Sequence, residues 1–224
     1  MKPTWNHFSF RYLSLYFIGI LALGLGVSLF SRANLGVAPW DTAVINLKSL
    51  LNSANISITL GQSSLIHTTF LLVLVLFIGK RWQALMAIFP MILISFSIDF
   101  WDVVILPVIF PSPTPLWLNI IFFLIALVIM TWGLATIIIS GFPPNVYDDL
   151  QLTLIRVFKI KSFTLARWII EFSGLALGLI YALFEGNGLG SITILSFFLA
   201  LAFGSFITFF VNVYKRLEII NRSL

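Results

Sequence analysis

The chain has 224 residues, of which 60% are hydrophobic and 9% charged, with a formal net charge of +5. Together with a mean hydropathy of +1.07, this excludes a water-soluble domain, whose exterior needs far more charge. The absence of cysteine excludes disulfides, thiol catalysis and thiolate metal sites, and two histidines, His7 and His67, cannot build a histidine-rich metal centre. In a soluble protein the positive charge would point to nucleic acid. Here it sits between long apolar runs and reads as membrane topology, so no nucleic-acid partner and no cofactor are expected.

Long apolar runs without period-two alternation predict helices rather than a barrel, since lipid requires every backbone group to be satisfied internally. Six stretches approach the ~20 residues needed to cross hydrocarbon: residues 13–30, 64–79, 84–105, 116–139, 168–184 and 192–214, the second and fifth being short. The first exceeds the ~7 to 15 residues of a signal-peptide apolar region and is read as a retained membrane helix. Placing the amino terminus in the cytoplasm puts Lys2, Arg11, Lys80, Arg81, Arg156, Lys159, Lys161, Arg167, Lys215, Arg216 and Arg222 inside, and only Arg32 and Lys48 outside. This bias predicts a multi-pass protein of the bacterial cytoplasmic membrane with both termini cytoplasmic.

The first span is followed by RANLGVAPWD at residues 32–41, in which Pro39 breaks the backbone and Trp40 and Asp41 open a short amphipathic stretch. After the fourth span, PNVYDD at residues 144–149 repeats the pattern with Pro144, Tyr147, Asp148 and Asp149. Sliding the chain along itself by 107 residues superposes Gly26 on Gly133, Trp40 on Tyr147, Asp41 on Asp148 and Gly79 on Gly186. Three spans per half is an odd number, so the second half would enter the membrane from the other side. The expected fold is therefore all-α and polytopic: two inverted three-helix repeats, residues 1–110 and 111–224, each with a short amphipathic or re-entrant helix, together forming one membrane domain.

Each aspartate has two readings. As an N-cap it would accept the free N–H groups of its own short helix, contributing ~1 kcal/mol. As a site residue it would stabilise a cation, a proton or a basic group, because ionisable groups at membrane depth are costly and mark transport paths. Trp40 and Tyr147 read equally as interface anchors. Glu171, four residues after Arg167, is predicted to form a snorkelling ion pair or, as the bolder reading, part of a proton path. His67 is expected to pack inside the second span, Asp99 and Asp102 to approach an outer vestibule or headgroups, and Pro90 to kink the third span. Gly19, Gly24, Gly26, Gly174, Gly178 and Gly204 permit close helix packing, and GNGLG at residues 186–190 is a tight turn rather than a phosphate loop.

RANLGVAPWD, with the GKRW junction at residues 79–82, resembles the bacterial YczE/YyaS/YitT family of integral membrane proteins. The resemblance covers most of the chain and implies a multi-spanning membrane protein. The second half departs from it, since GFPPNVYDD spaces Gly141 and Asp148 further apart than the compact family motif, leaving Asp148 and Asp149 as alternatives.

These features predict a small-solute transporter or permease with its site between the repeats. Asp41, Asp148, Trp40, Tyr147, Asp149 and Glu171 are the substrate or ion candidates, and Pro39 and Pro144 the helix breaks. The competing reading is a non-transporting partner that stabilises or regulates another membrane protein through its glycine-rich faces. No set of nucleophile, base and orienting group stands out, so an enzyme is not expected. Compatible partners are membrane lipid, a small solute or ion, and a second copy or another membrane protein.

Overall fold

The computed structural model describes residues 10–110, 114–143 and 145–216. Pro144, His7, Lys2 and Arg222 lie outside the described residues. All regular structure among the described residues is helical, and six helical stretches are long and apolar enough to cross a membrane. They are α1 (Phe10–Ala33), α3 (Leu60–Gly79), the composite stretch Trp82–Ile109 that contains α4 (Ile88–Asp99) and α5 (Leu106–Ile109), α6 (Leu116–Ser140), α8 (Phe163–Glu185) and α9 (Ile194–Arg216). The short helices α2 (Pro39–Ser53) and α7 (Val146–Val157) fall well below the length of a span.

The second and fifth spans are not short. At 20 and 23 residues they extend past the apolar runs because polar groups are satisfied locally. Thr59 and Gln62 form a reciprocal capping box that starts α3 before its first long apolar run. In α8, Arg167 and Glu171 neutralise one another within one helical turn. Pro90 lies just beyond an irregularity in the third crossing. It stands in the first turn of α4, directly after a 3-10 segment (Trp82–Ala87), where its missing N–H has no helical partner to lose. A second irregularity lies further on, in a π-helical stretch from Phe100 to Ile105.

α1 and α6 form the spine. Gly26 lies against Met130, and Gly133 lies against Leu23, so the two backbones approach closely at this crossing. Around it pack Tyr16, Leu23, Phe30, Ile98, Phe123 and Phe203 in the largest apolar core. Both spine helices end in a left-handed residue, Asn34 at φ 50° and Gly141 at φ 72°. Large apolar side chains such as Phe77, Trp82, Val108 and Ile194 point outward, as a lipid-facing surface requires.

α2 is buried over most of its length and α7 along one face. α2 packs along α8, with Gly174 against Trp40 and Pro39, Gly178 against Thr42 and Ala43, and Asn46 donating to the Gly178 carbonyl at 2.9 Å. α7 packs along α3, where Gly79 lies against Thr153 and its carbonyl accepts from Arg156 at 3.2 Å. α2 therefore starts midway along α8 and runs toward that helix's carboxyl end. α7 starts beside His67, midway along α3, and runs toward the end of α3. Their amino ends meet in the middle of the bundle.

Candidate functional site

The meeting point is made by the two aromatic residues of the repeated motif. The rings of Trp40 and Tyr147 stack with centroids 5.0 Å apart and planes inclined by 30°. His67 backs the pair, its ring centre 5.7 Å from Trp40 and 6.3 Å from Tyr147, with Tyr181 closing a further side at 6.4 Å. The imidazole is fully buried and neither ring nitrogen has a hydrogen-bond partner.

Neither aspartate caps its helix. α2 is entered through Ala38 with Pro39 at the first position, and α7 through Asn145, and neither terminus has a side-chain cap. Asp41 and Asp148 instead project from the first turns into a common cavity of about 300 Å³. Trp40, Tyr147, Asn145, Gln151, Arg167 and Glu171 line the same space on its polar side. The opposite wall is apolar, built from Leu23 and Val27 of α1, Met91, Ile94 and Ile98 of α4, Met130, Leu134 and Ile138 of α6, and Phe203 and Ile207 of α9. Lys215 and Asn212 of α9 line it toward the carboxyl end of that helix.

Charge within the cavity is unevenly matched. The Arg167 guanidinium lies 2.6 Å from the Glu171 carboxylate and 3.3 Å from that of Asp148, and reaches the Gln151 side-chain oxygen at 3.4 Å. Glu171 is only 2% exposed, whereas the Arg167 side chain keeps 18% exposure, so the carboxylate is the buried end of the pair. Asp41, 7% exposed, keeps an Oδ2 with no hydrogen-bond partner, and the Trp40 Nε1 and Asn145 Oδ1 are likewise unpartnered. Burial, reinforced by the Glu171 charge, pushes the Asp41 carboxyl up to about 8. Burial also raises Asp148, with Arg167 pulling against it.

Asp149 lies outside this cavity. Burial and the adjacent Asp148 push it up to about 6, against the pull of Arg81 and Arg156. Asp99 and Asp102 also lie elsewhere: Asp99 accepts from the Thr59 hydroxyl and the Gly61 N–H, both at 2.7 Å, tying α3 to α4. Asp102 faces Lys48 at 3.9 Å. Gly204 makes no close helix contact; a Cβ placed there would meet only Arg167 Cγ, at 3.8 Å.

Arg167, Asn145 and Gln151 are the site residues that the sequence does not single out. Arg167 is visible there only as the partner of Glu171, because Asp148 is 19 residues away and on another helix.

A bundle of six membrane-length helices with two short helices and a charged internal cavity defines a polytopic α-helical membrane protein. Over residues 10–212 the chain matches the family described as a family of unknown function (DUF6198), and it belongs to that family. It is also similar to the uncharacterized membrane protein YczE of Bacillus subtilis (strain 168), being 26% identical over 140 residues. That match covers 62% of this chain and 60% of the relative, so the chain spans about 60% of the length of the curated protein it matches. No solved structure matches.

Proposed function

We propose that the protein is a small-solute transporter or permease of the bacterial cytoplasmic membrane, acting as a carrier and not as an enzyme, with both termini cytoplasmic and its site between two inverted repeats. The observation that carries this reading is the convergence of Asp41 and Asp148, from two different short helices, on one internal cavity. Broken helices that meet near the middle of a bundle are the usual way for such repeats to form a site.

Reciprocal contacts support the repeat. At the offset of 107 residues, Leu23 corresponds to Met130 and Gly26 to Gly133, and each glycine lies against the counterpart of the other's partner. Asn34 and Gly141, the left-handed residues ending α1 and α6, correspond at the same offset, as do the stacked Trp40 and Tyr147. The pairing of α2 with α8 is matched by that of α7 with α3. In this reading Asp41 and Asp148 stabilise a cationic or protonated species while the site is exposed alternately to the two sides. The Gly174 and Gly178 face, one of the glycine-rich faces on which the competing reading would dock a partner protein, is filled by α2.

The test is reconstitution of the full chain in liposomes with a panel of small cationic solutes and a pH-sensitive dye inside. Flux of a panel member or of protons that is lost in Asp41→Asn and in Asp148→Asn is the expected result. Absence of all such flux, or flux unchanged in both variants, overturns the proposal.

A further inference from the structure

The cavity is lined by three carboxylates, one guanidinium and, at the carboxyl end of α9, the Lys215 ammonium. Arg167 contacts two of the carboxylates, Asp148 and Glu171. The third, Asp41, forms no ion pair among the described residues, and its Oδ2 is buried without a partner in a cavity large enough for a small molecule. A buried carboxylate in that position is either neutral or awaiting a positive partner.

We propose that the cavity is an exchange site for a proton and an organic ammonium ion with a small apolar body, in which Asp41 holds the proton when the site is empty and the cation when it is loaded. This rests on the carrier reading above and names the class of its substrate. On loading, the O–H bond of the Asp41 carboxyl breaks, the proton leaves to water, and the carboxylate pairs with the incoming ammonium. No electron is transferred, and the net buried charge is the same before and after, since one positive charge enters as one leaves.

Four observations favour an organic ammonium over a metal cation. Hard cations require about six or more oxygen ligands, whereas no group of three or more potential ligand side chains is placed to hold a metal among the described residues. Two of the carboxylates are already held by Arg167. The facing wall is apolar, from Leu23, Met91, Met130 and Phe203, and matches a hydrocarbon body. Trp40 and Tyr147 beside Asp41 supply the aromatic surface that attracts ammonium groups.

The charged and titratable groups around Asp41 are Arg167 and Glu171 from α8, Asp148 and Tyr147 from α7, His67 from α3 behind the aromatic pair, and Lys215 from α9. The walls from α1, α4 and α6 contribute apolar side chains alone. Burial and Glu171 favour the protonated form of Asp41 in the empty site at neutral pH.

The test uses the purified full chain in detergent and a cation that cannot itself titrate, benzyltrimethylammonium, added at about pH 7 in weakly buffered solution containing a pH indicator. Benzyl alcohol, benzoate and sodium chloride serve as neutral, anionic and inorganic comparisons. The expected result is binding of the quaternary cation with release of about one proton per site, a release that fades above pH 8 as Asp41 becomes ionised beforehand. Asp41→Asn should abolish the release and weaken binding by about tenfold or more, Asp41→Glu should retain both, and Asp102→Asn should change neither.

Binding without proton release, release persisting in Asp41→Asn, equal release by sodium, tighter binding of benzoate, or no binding of the quaternary cation each overturns the inference. If Asp41→Asn does not fold, the pH dependence of release in the parent decides. Binding with release but without vesicle flux overturns the carrier reading alone, and flux without release overturns the exchange alone.

Discussion

Gly19 and Gly133 keep α1 and α6 in backbone contact: a Cβ on Gly19 would stand 2.8 Å from the Gly133 carbonyl oxygen, and one on Gly133 would stand 2.9 Å from that of Gly19. Neither backbone can yield without parting the spine. Gly133→Leu is therefore expected to destabilise the protein by about 1 to 3 kcal/mol, as overpacking does. Gly204→Ala, with its nearest neighbour at 3.8 Å, should leave stability unchanged or raised. Thermal unfolding in detergent separates the two, and equal losses would contradict the assignment of the spine.

Arg167 is expected to be the most sensitive charge in the bundle. Arg167→Gln strands the buried Glu171 carboxyl, and leaves the partly buried Asp148, without their cation, a loss of about 3 to 5 kcal/mol. The double variant Arg167→Gln with Glu171→Gln should recover part of that loss. A double variant as unstable as the single one would show that the ion pair is not what Arg167 satisfies.

Asp149 gives a pH-dependent stability term of definite sign. Its carboxyl is raised in the folded protein to about 6, so the folded state binds this proton more tightly than the unfolded chain does. The corresponding stability is present below the ordinary carboxylate range and is lost as pH rises through about 6. Asp149→Asn, which remains neutral, should therefore unfold at a higher temperature than the parent at about pH 8, with the gap closing toward about pH 5. A gap that is constant with pH, or that widens in acid, would contradict this.

The orientation of the two halves is directly accessible because the chain has no cysteine. Ser53, the last residue of α2, and Ser162, at the start of α8, are both exposed. Cysteine at Ser53 should react with an impermeant maleimide in intact cells, and cysteine at Ser162 only after the membrane is opened. The same accessibility at both positions would contradict the inverted arrangement.

The sequence makes the crossings legible because lipid imposes a composition that few other environments demand. The starts of the second and fifth spans are less visible, since Thr59 with Gln62 and Arg167 with Glu171 satisfy polar groups through partners that hydropathy does not see. The break at Pro39 can be read directly, because proline at the first helical position loses nothing. The role of Asp41 cannot. Whether this carboxylate caps its helix or faces a cavity depends on where α8 lies, a relationship between residues more than a hundred positions apart. The choice between Asp148 and Asp149 is likewise geometric: successive helical residues point about 100° apart, and Asp148 faces the cavity while Asp149 turns toward Arg81 and Arg156.

The contact of α1 with α6 also limits how the bundle can move. Two helices in contact from Gly19 and Gly133, through Gly26 and Met130, to Phe30 and Phe123 are held along most of their length and resist sliding and tilting alike. The pair therefore turns as one body, and any rearrangement of the bundle has to come from the helices packed around it.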